Sequence, residues 1–219
     1  MVSSSGNVWF FDTAAGRLEW HSKARGGISS EPRINRDRIL LAIDGRNVQE
    51  FSLEDGADIN FVKVDGNPAF VGAGRSSAAV YSDERGNVHS INMSGGKNWK
   101  FRTGGRVAFV RPVNGSVLLG STDNFVYFMS VEYGSLLWKR RLPGRIANGG
   151  LIGTGLAVFT VIGERSAFVI ELEKGRIVDR LDLGTEDAFL LTPLRANSRY
   201  LLAATASGIS AFSTTCPSK

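Results

Sequence analysis

One cysteine, Cys216, stands in the whole chain, so no internal disulfide can form and a cysteine-ligated zinc site lacks its ligands. The only histidines are His21 and His89, and they fall on different expected strands of different repeats. That spacing shows no convergence toward a metal site or a Ser-His-Asp arrangement. Prolines number 6 against 26 glycines, a balance that goes with tight turns and not with disorder. No apolar run approaches the ~18 residues needed to span a bilayer, so no transmembrane segment is expected. The opening MVSSSGNVWF lacks the charged start, apolar core and small-residue cleavage site of an export signal. An exported form would carry its signal outside this sequence, and a native start at Met1 would place the chain in the cytoplasm. No segment has a helical apolar period, which excludes a helical fold. Gly26-Gly27, Gly72-Ala73-Gly74, Gly104-Gly105 and Gly149-Gly150 superficially match phosphate-binding loops, but none follows a strand and opens a helix.

What the chain does have is an ordinary globular composition, 42% hydrophobic and 21% charged over 219 residues, enough to bury a sizeable core. The net charge of +5 favours acidic partners only mildly. Nucleic acid is not expected, since that would need a concentrated basic face.

The chain also repeats itself. Asn7 to Trp20, NVWFFDTAAGRLEW, is rewritten along the sequence with anchors at Val8, Val48, Val88, Val126, Ala167 and Ile209, spaced by 40, 40, 38, 41 and 42 residues. Each copy reads as an apolar strand, a polar residue, a turn with glycine and a second strand, and two further short strands precede the next copy. With the strands named A to D and the anchor on C, the expected blades are 28–64, 69–102, 107–141 and 146–182, with partial blades at 7–21 and 187–213 and a tail at 214–219. Units of four short antiparallel strands at this period predict an all-β fold, a β-propeller. The reading counts two strands in the first unit, four in each of the next four and three in the last. A five-blade ring takes about 20 strands and a six-blade ring about 24. The expectation is therefore one propeller domain over 1–213 of about five to six blades, incomplete, part of a larger ring, or covered by a partner at its open blades.

The anchor motif reads Phe10-Phe11-Asp12 with Gly16 and Trp20, Glu50-Phe51-Ser52 with Gly56, Ser90-Ile91-Asn92 with Gly95 and Trp99, Phe128-Met129-Ser130 with Gly134 and Trp138, Val169-Ile170-Glu171 with Gly175, and Ala211-Phe212-Ser213. It resembles the tryptophan-docking repeat of the propellers of pyrroloquinoline-quinone type over essentially the whole chain. The physical expectations are these. Gly16, Gly56, Gly95, Gly134 and Gly175 supply positive φ in the C-to-D turns. The polar residue bonds backbone donors of that turn. Trp20, Trp99 and Trp138 lie between neighbouring blades as docking residues. Asn60 and Asp179 stand where tryptophan would, which predicts weaker docking there or its transfer to Phe61 and Val178. Trp9 and its counterparts Gln49, His89, Tyr127 and Phe168 vary too much in size and polarity for inter-blade core, and are expected to face a groove or solvent.

Enzymes of the resembling family are quinoprotein dehydrogenases, and that resemblance would imply a quinone cofactor, a calcium ion held by Glu, Asn and Asp, and an adjacent cysteine pair. One cysteine cannot make the pair. Asp44, Asp83, Glu84, Asp123 and Glu164 fall in the B-to-C turns, where acidic residues belong in any case. No catalytic, cofactor or metal residue is therefore assigned, and no cofactor is expected. The closer resemblance is to the non-catalytic repeat lipoproteins that assist barrel assembly in bacterial outer membranes, which implies a periplasmic scaffold docking protein partners. Alternatives are a fragment of a calcium- and quinone-dependent dehydrogenase, or the extracytoplasmic sensor domain of a larger receptor. In a propeller the D-to-A and B-to-C connections share one face. There the basic candidates for partner binding are Lys23, Arg25, Arg102, Arg106, Lys139, Arg140, Arg141 and Arg145, mixed with the acidic turns in a way that suits protein better than nucleic acid.

Overall fold

Short apolar runs punctuated by glycine-bearing turns fold into strands of two to seven residues, β1 to β21. The computed structural model describes residues 1–35, 37–73, 78–93, 97–185, 189–190, 200–205 and 208–213. Gly95, Gly74 and the tail at 214–219 with Cys216 lie outside the described residues. The described elements are all strands, and every pairing between them is antiparallel.

The sheets follow chain order. β1 (Asn7–Asp12) pairs with β2 (Arg17–Lys23), and then come β3 (Arg33–Asn35), β4 (Arg38–Ile43), β5 (Asn47–Ser52) and β6 (Asp58–Lys63) as one four-stranded meander. The next is β7 (Pro68–Ala73), β8 (Ala78–Asp83), β9 (Asn87–Asn92) and β10 (Lys97–Arg102). β11 (Val107–Val113), β12 (Ser116–Ser121), β13 (Phe125–Ser130) and β14 (Leu136–Arg141) form another. β15 (Ile146–Ile152), β16 (Leu156–Val161), β17 (Ser166–Glu171) and β18 (Ile177–Asp182) form the last full sheet, ahead of the three strands β19 (Phe189–Leu190), β20 (Tyr200–Thr205) and β21 (Gly208–Ser213). This is the propeller-blade architecture that the repeat predicts. One strand is shorter than expected: Ile28 makes a lone bridge to Ile43 and β3 starts only at Arg33, because Pro32 cannot donate to the ladder.

The chain forms two compact units, Met1–Arg106 with Pro112–Val117 and Ser130–Ser135, and Val107–Arg111 with Leu118–Met129 and Leu136–Lys219. Within the first, Val8 and Trp20 pack on Ile39, Leu41, Ile43 and Phe51 of the second sheet. The opposite face of that sheet, Leu40, Ala42 and Val48, packs on Ala79, Tyr81 and Ile91 of the third. In the second unit, Val158, Ala167 and Val169 meet Leu201 and Ala203. The second sheet thus buries both faces, which the period-2 alternation of a strand allows only if apolar residues are nearly continuous. RILLAI, AAVYSD, SVLLGS and LAVFTV are such runs.

The tryptophans dock as the motif predicts. Indole Nε1 donates to the backbone carbonyl just past the polar residue of the following sheet: Trp20 to Leu53 at 2.9 Å, Trp99 to Val131 at 2.7 Å and Trp138 to Leu172 at 2.8 Å. The ring lies over that sheet's turn glycine. Two residues on from the tryptophan, Ser22 Oγ and Arg140 Nε reinforce the contact by donating to the carbonyls of Gly56 and Gly175, both at 2.6 Å. Gly16, Gly56, Gly134 and Gly175 have φ of 66°, 72°, 67° and 65°, and the N–H of each donates back to the carbonyl of Asp12, Ser52, Ser130 or Glu171. Asp12, Ser52 and Ser130 also accept turn N–H groups through their side chains. Glu171 is too long for that and pairs with Arg176 instead.

A register shift recurs in the C–D hairpins, between Phe10 and Phe11, Glu50 and Phe51, Phe128 and Met129, and Val169 and Ile170. The bulge re-aims the next residue on strand D toward the following sheet. This corrects the expected transfer of docking to Phe61 and Val178. Val178 is the bulged residue and stays 49% exposed. Phe61 adjoins position 60 in a strand and so points to the opposite side, onto the cluster of Trp20 and Phe51. Asn60 itself donates to the buried Glu50 at 2.6 Å, and Arg38 pairs with the same carboxylate at 3.1 Å.

Candidate functional site on the loop rim

The D-to-A and B-to-C connections are tied together by one repeated backbone bond. The first residue after strand D donates to the last residue before strand C: Ala24 to Gly6, Val64 to Arg46, Thr103 to Gly86, Leu142 to Asn124 and Leu183 to Arg165, at 2.8 to 3.0 Å. The donors are buried, so each N–H needs this partner. Gly6, Arg46, Gly86 and Asn124 all have positive φ, which turns their carbonyls toward the donors. Charged side chains on these connections therefore project from a fixed frame.

In the first unit, Lys23 and Arg25 flank the buried Ala24, and Arg102 and Arg106 flank Thr103 to Gly105. Arg25 is committed, with Nε 2.7 Å from Asp58 and its guanidinium 5.0 Å over the Phe61 ring. Lys23, Arg102 and Arg106 are exposed and make no ion pair among the described residues. In the second unit, Arg141 and Arg145 are likewise exposed and unpaired, and Lys139 stands 5.2 Å over Phe125. Arg140 points the other way along the strand and serves the contact to Gly175 already described. Six of the eight predicted side chains are thus offered to solvent without an ion pair, while Arg25 and Arg140 are engaged.

The structure also corrects the reading of the Trp9 position. Trp9 is half-buried against His21, but Gln49, His89, Tyr127 and Phe168 are 0%, 2%, 7% and 0% exposed. Gln49, Tyr127 and Phe168 lie inside because local partners satisfy what each brings. Gln49 accepts the Arg25 N–H at 2.9 Å and donates to Asp58 at 3.0 Å, and Tyr127 donates to Asp123. Phe168 carries the Arg180 guanidinium over its ring at 4.9 Å.

His89 differs from these. Its Nε2 has no hydrogen-bond partner and is 3.9 Å from Asp83 Oδ2, and its ring stacks on Tyr81 with centroids 4.7 Å apart. It adjoins a cavity of about 300 Å³ in the first unit, also lined by Arg46, Asp65, Asp83, Arg85 and Lys100. Sequence reasoning missed this site; the one signal was a histidine in the middle of a C strand, NVHSIN.

Burial holds the His89 imidazole below its ordinary value of 6.5, with Asp83 opposing. The native state then binds fewer protons than the unfolded chain. The stability that neutral His89 contributes is complete above the unfolded value and is lost as pH falls through the lower folded one. The urea midpoint should therefore drop as pH falls below about 6.5. His89→Gln, the residue found at the equivalent Gln49, should flatten that dependence; an unchanged slope would count against the assignment. Tyr81, whose hydroxyl meets the backbone of Asp65, is pushed up to about 12 by burial and stays neutral across this range.

Residues 1–97 match the model of the family described as outer membrane protein assembly factor BamB. The BamB crystal structure from Moraxella catarrhalis superposes with a TM-score of 0.71 at 15% identity, covering 97% of this chain and 65% of that one. The chain resembles the BamB-type propellers. It spans about two thirds of the length of that BamB. A chain of the mitotic checkpoint complex matches with a TM-score of 0.75 at 10% identity over 96% of this chain and 72% of the other. BBS1N, solved in complex with ARL6DN, matches with 0.76 at 13% over 95% and 72%. At such identities these likenesses are of fold. No curated protein matches the sequence. No helix of the described residues is long and apolar enough to cross a membrane, and they contain no group of three acidic, histidine or cysteine side chains placed to hold a metal.

Proposed function

We propose that this chain is a non-catalytic propeller scaffold that docks protein partners through its loop rim, as part of an envelope-associated bacterial complex. The observation that carries this reading is the set of exposed, unpaired cations, Lys23, Arg102 and Arg106 in the first unit and Arg141 and Arg145 in the second, all on or beside connections that the repeated backbone bond ties together. Docking then needs little ordering of the frame, which lowers the entropic cost of binding. The acidic side chains of the intervening turns, Asp44, Glu84 and Glu164, give the surface a mixed pattern that selects a complementary protein. The match of residues 1–97 to the outer-membrane assembly factor model supports the envelope setting.

Replacing Arg102, Arg106, Arg141 and Arg145 together by Glu tests this. Crosslinking in intact cells, followed by pull-down of the tagged chain, should recover a specific partner with the parent and lose it with the charge-reversed form. Circular dichroism and the melting temperature verify that the variant is folded. Equal recovery of the partner by a folded variant would overturn the rim as the docking surface.

A further inference from the structure

The cavity beside His89 is lined by carboxylates and cations that differ in how far the fold engages them. Asp83 already accepts three donors: Oδ1 accepts the N–H groups of Arg85 and Asn87, both at 2.9 Å, and Oδ2 accepts Asn87 Nδ2 at 2.6 Å. Gly66 closes on the same carboxylate, and a Cβ there would lie 2.9 Å from Oδ2. Asp65 is paired with Lys97 at 2.5 Å. Both carboxylates closest to the ring are thus occupied within the fold. The cations are not: Arg46, Arg85 and Lys100 line the cavity with no side-chain partner among the described residues. Glu84, exposed on the turn, is the remaining carboxylate of the lining.

His89 is one of the residues lining this cavity; it is 2% exposed and its Nε2 has no hydrogen-bond partner. A buried polar atom left unpaired costs about 1–3 kcal/mol, and the equivalent Gln49 and Tyr127 both find partners inside the protein. An acceptor brought by a ligand would complete this arrangement. With three donors already on Asp83, the donors left over are the imidazole N–H and three cationic side chains, which is the chemistry that recognises oxyanions.

We propose that this cavity binds a small multivalent oxyanion, a di- or tricarboxylate or a phosphate ester, with His89 Nε2–H, Arg46, Arg85 and Lys100 as its donors. The cavity of about 300 Å³ suits a metabolite-sized ligand more than a polymer. The cavity shares Glu84 with the acidic turns of the rim, and a small-molecule titration separates its assignment from protein docking.

The test follows the histidine ring resonances of the full chain by NMR while citrate, and separately inorganic phosphate, is titrated at constant ionic strength. There are two histidines, and His21, stacked on Trp9, serves as the internal control. Saturable shifts at His89 with either probe, without movement of His21, are expected. The Arg46→Gln, Lys100→Gln double variant alters two exposed side chains and should weaken binding at least about tenfold. An unmoved His89 with both probes, or unchanged affinity in the folded double variant, would overturn the site.

Discussion

Trp20→Ala should lower the unfolding free energy by about 3–5 kcal/mol, the loss expected for truncating a buried aromatic ring. Trp20 is 9% exposed, stacks on Phe10 with centroids 5.5 Å apart, donates to Leu53 and covers Gly56. The variant therefore loses apolar burial, a ring contact and a hydrogen bond together. Trp20→Phe keeps a ring but strands the Leu53 carbonyl, so it should cost less, by about 1–3 kcal/mol. Urea titration followed by far-ultraviolet circular dichroism measures both. Equal stability of Trp20→Ala and the parent would refute the docking role. Trp99 and Trp138 make the same bond but are only half-buried, so their truncations should cost less than that of Trp20.

The second large effect is expected from a pair of glycines with the same backbone and different surroundings. Gly134 and Gly16 have φ of 67° and 66°, so alanine at either pays the left-handed penalty of about 1–2 kcal/mol. A Cβ on Gly134 would lie 2.5 Å from Cδ2 and 2.6 Å from Cγ of Trp99, whereas a Cβ on Gly16 would meet nothing within 4 Å. Gly134→Ala must push the indole off its seat, adding about 1–3 kcal/mol of overpacking. The difference between the two melting temperatures, with each variant compared with the parent, isolates the cost of disturbing the docked tryptophan. Equal destabilisation would mean that the glycine is needed for φ alone.

These two predictions concern the part of the molecule that was legible in the sequence. The strand pattern of two, four, four, four, four and three agrees with the described sheets, because each C strand, polar turn and D strand is a local unit whose turn chemistry lies within about five residues. Phe61 and Val178 were misplaced for an equally local reason. The bulge before the tryptophan position shifts the alternation by one residue, and nothing in the composition of strand D announces it.

The candidate site was less legible. Charges on connections can be read from a repeat, but whether they are free cannot: Arg25 is held by Asp58 and Arg140 by Gly175, 33 and 35 residues away. Position 89 shows the limit most clearly. In sequence, Gln49, His89, Tyr127 and Phe168 form a column too mixed to be core; in the structure all four are buried.

By itself, the sequence determined the all-β blade architecture, its period and the tryptophan–glycine docking, since those depend on residues repeated at fixed spacing and on the φ that a turn demands. Only the tertiary structure decided which rim cations remain unpaired and that His89 Nε2 is enclosed without a partner. Those properties depend on what neighbouring blades and connections bring across some 16 to 35 residues, and on desolvation, which a one-dimensional pattern does not contain.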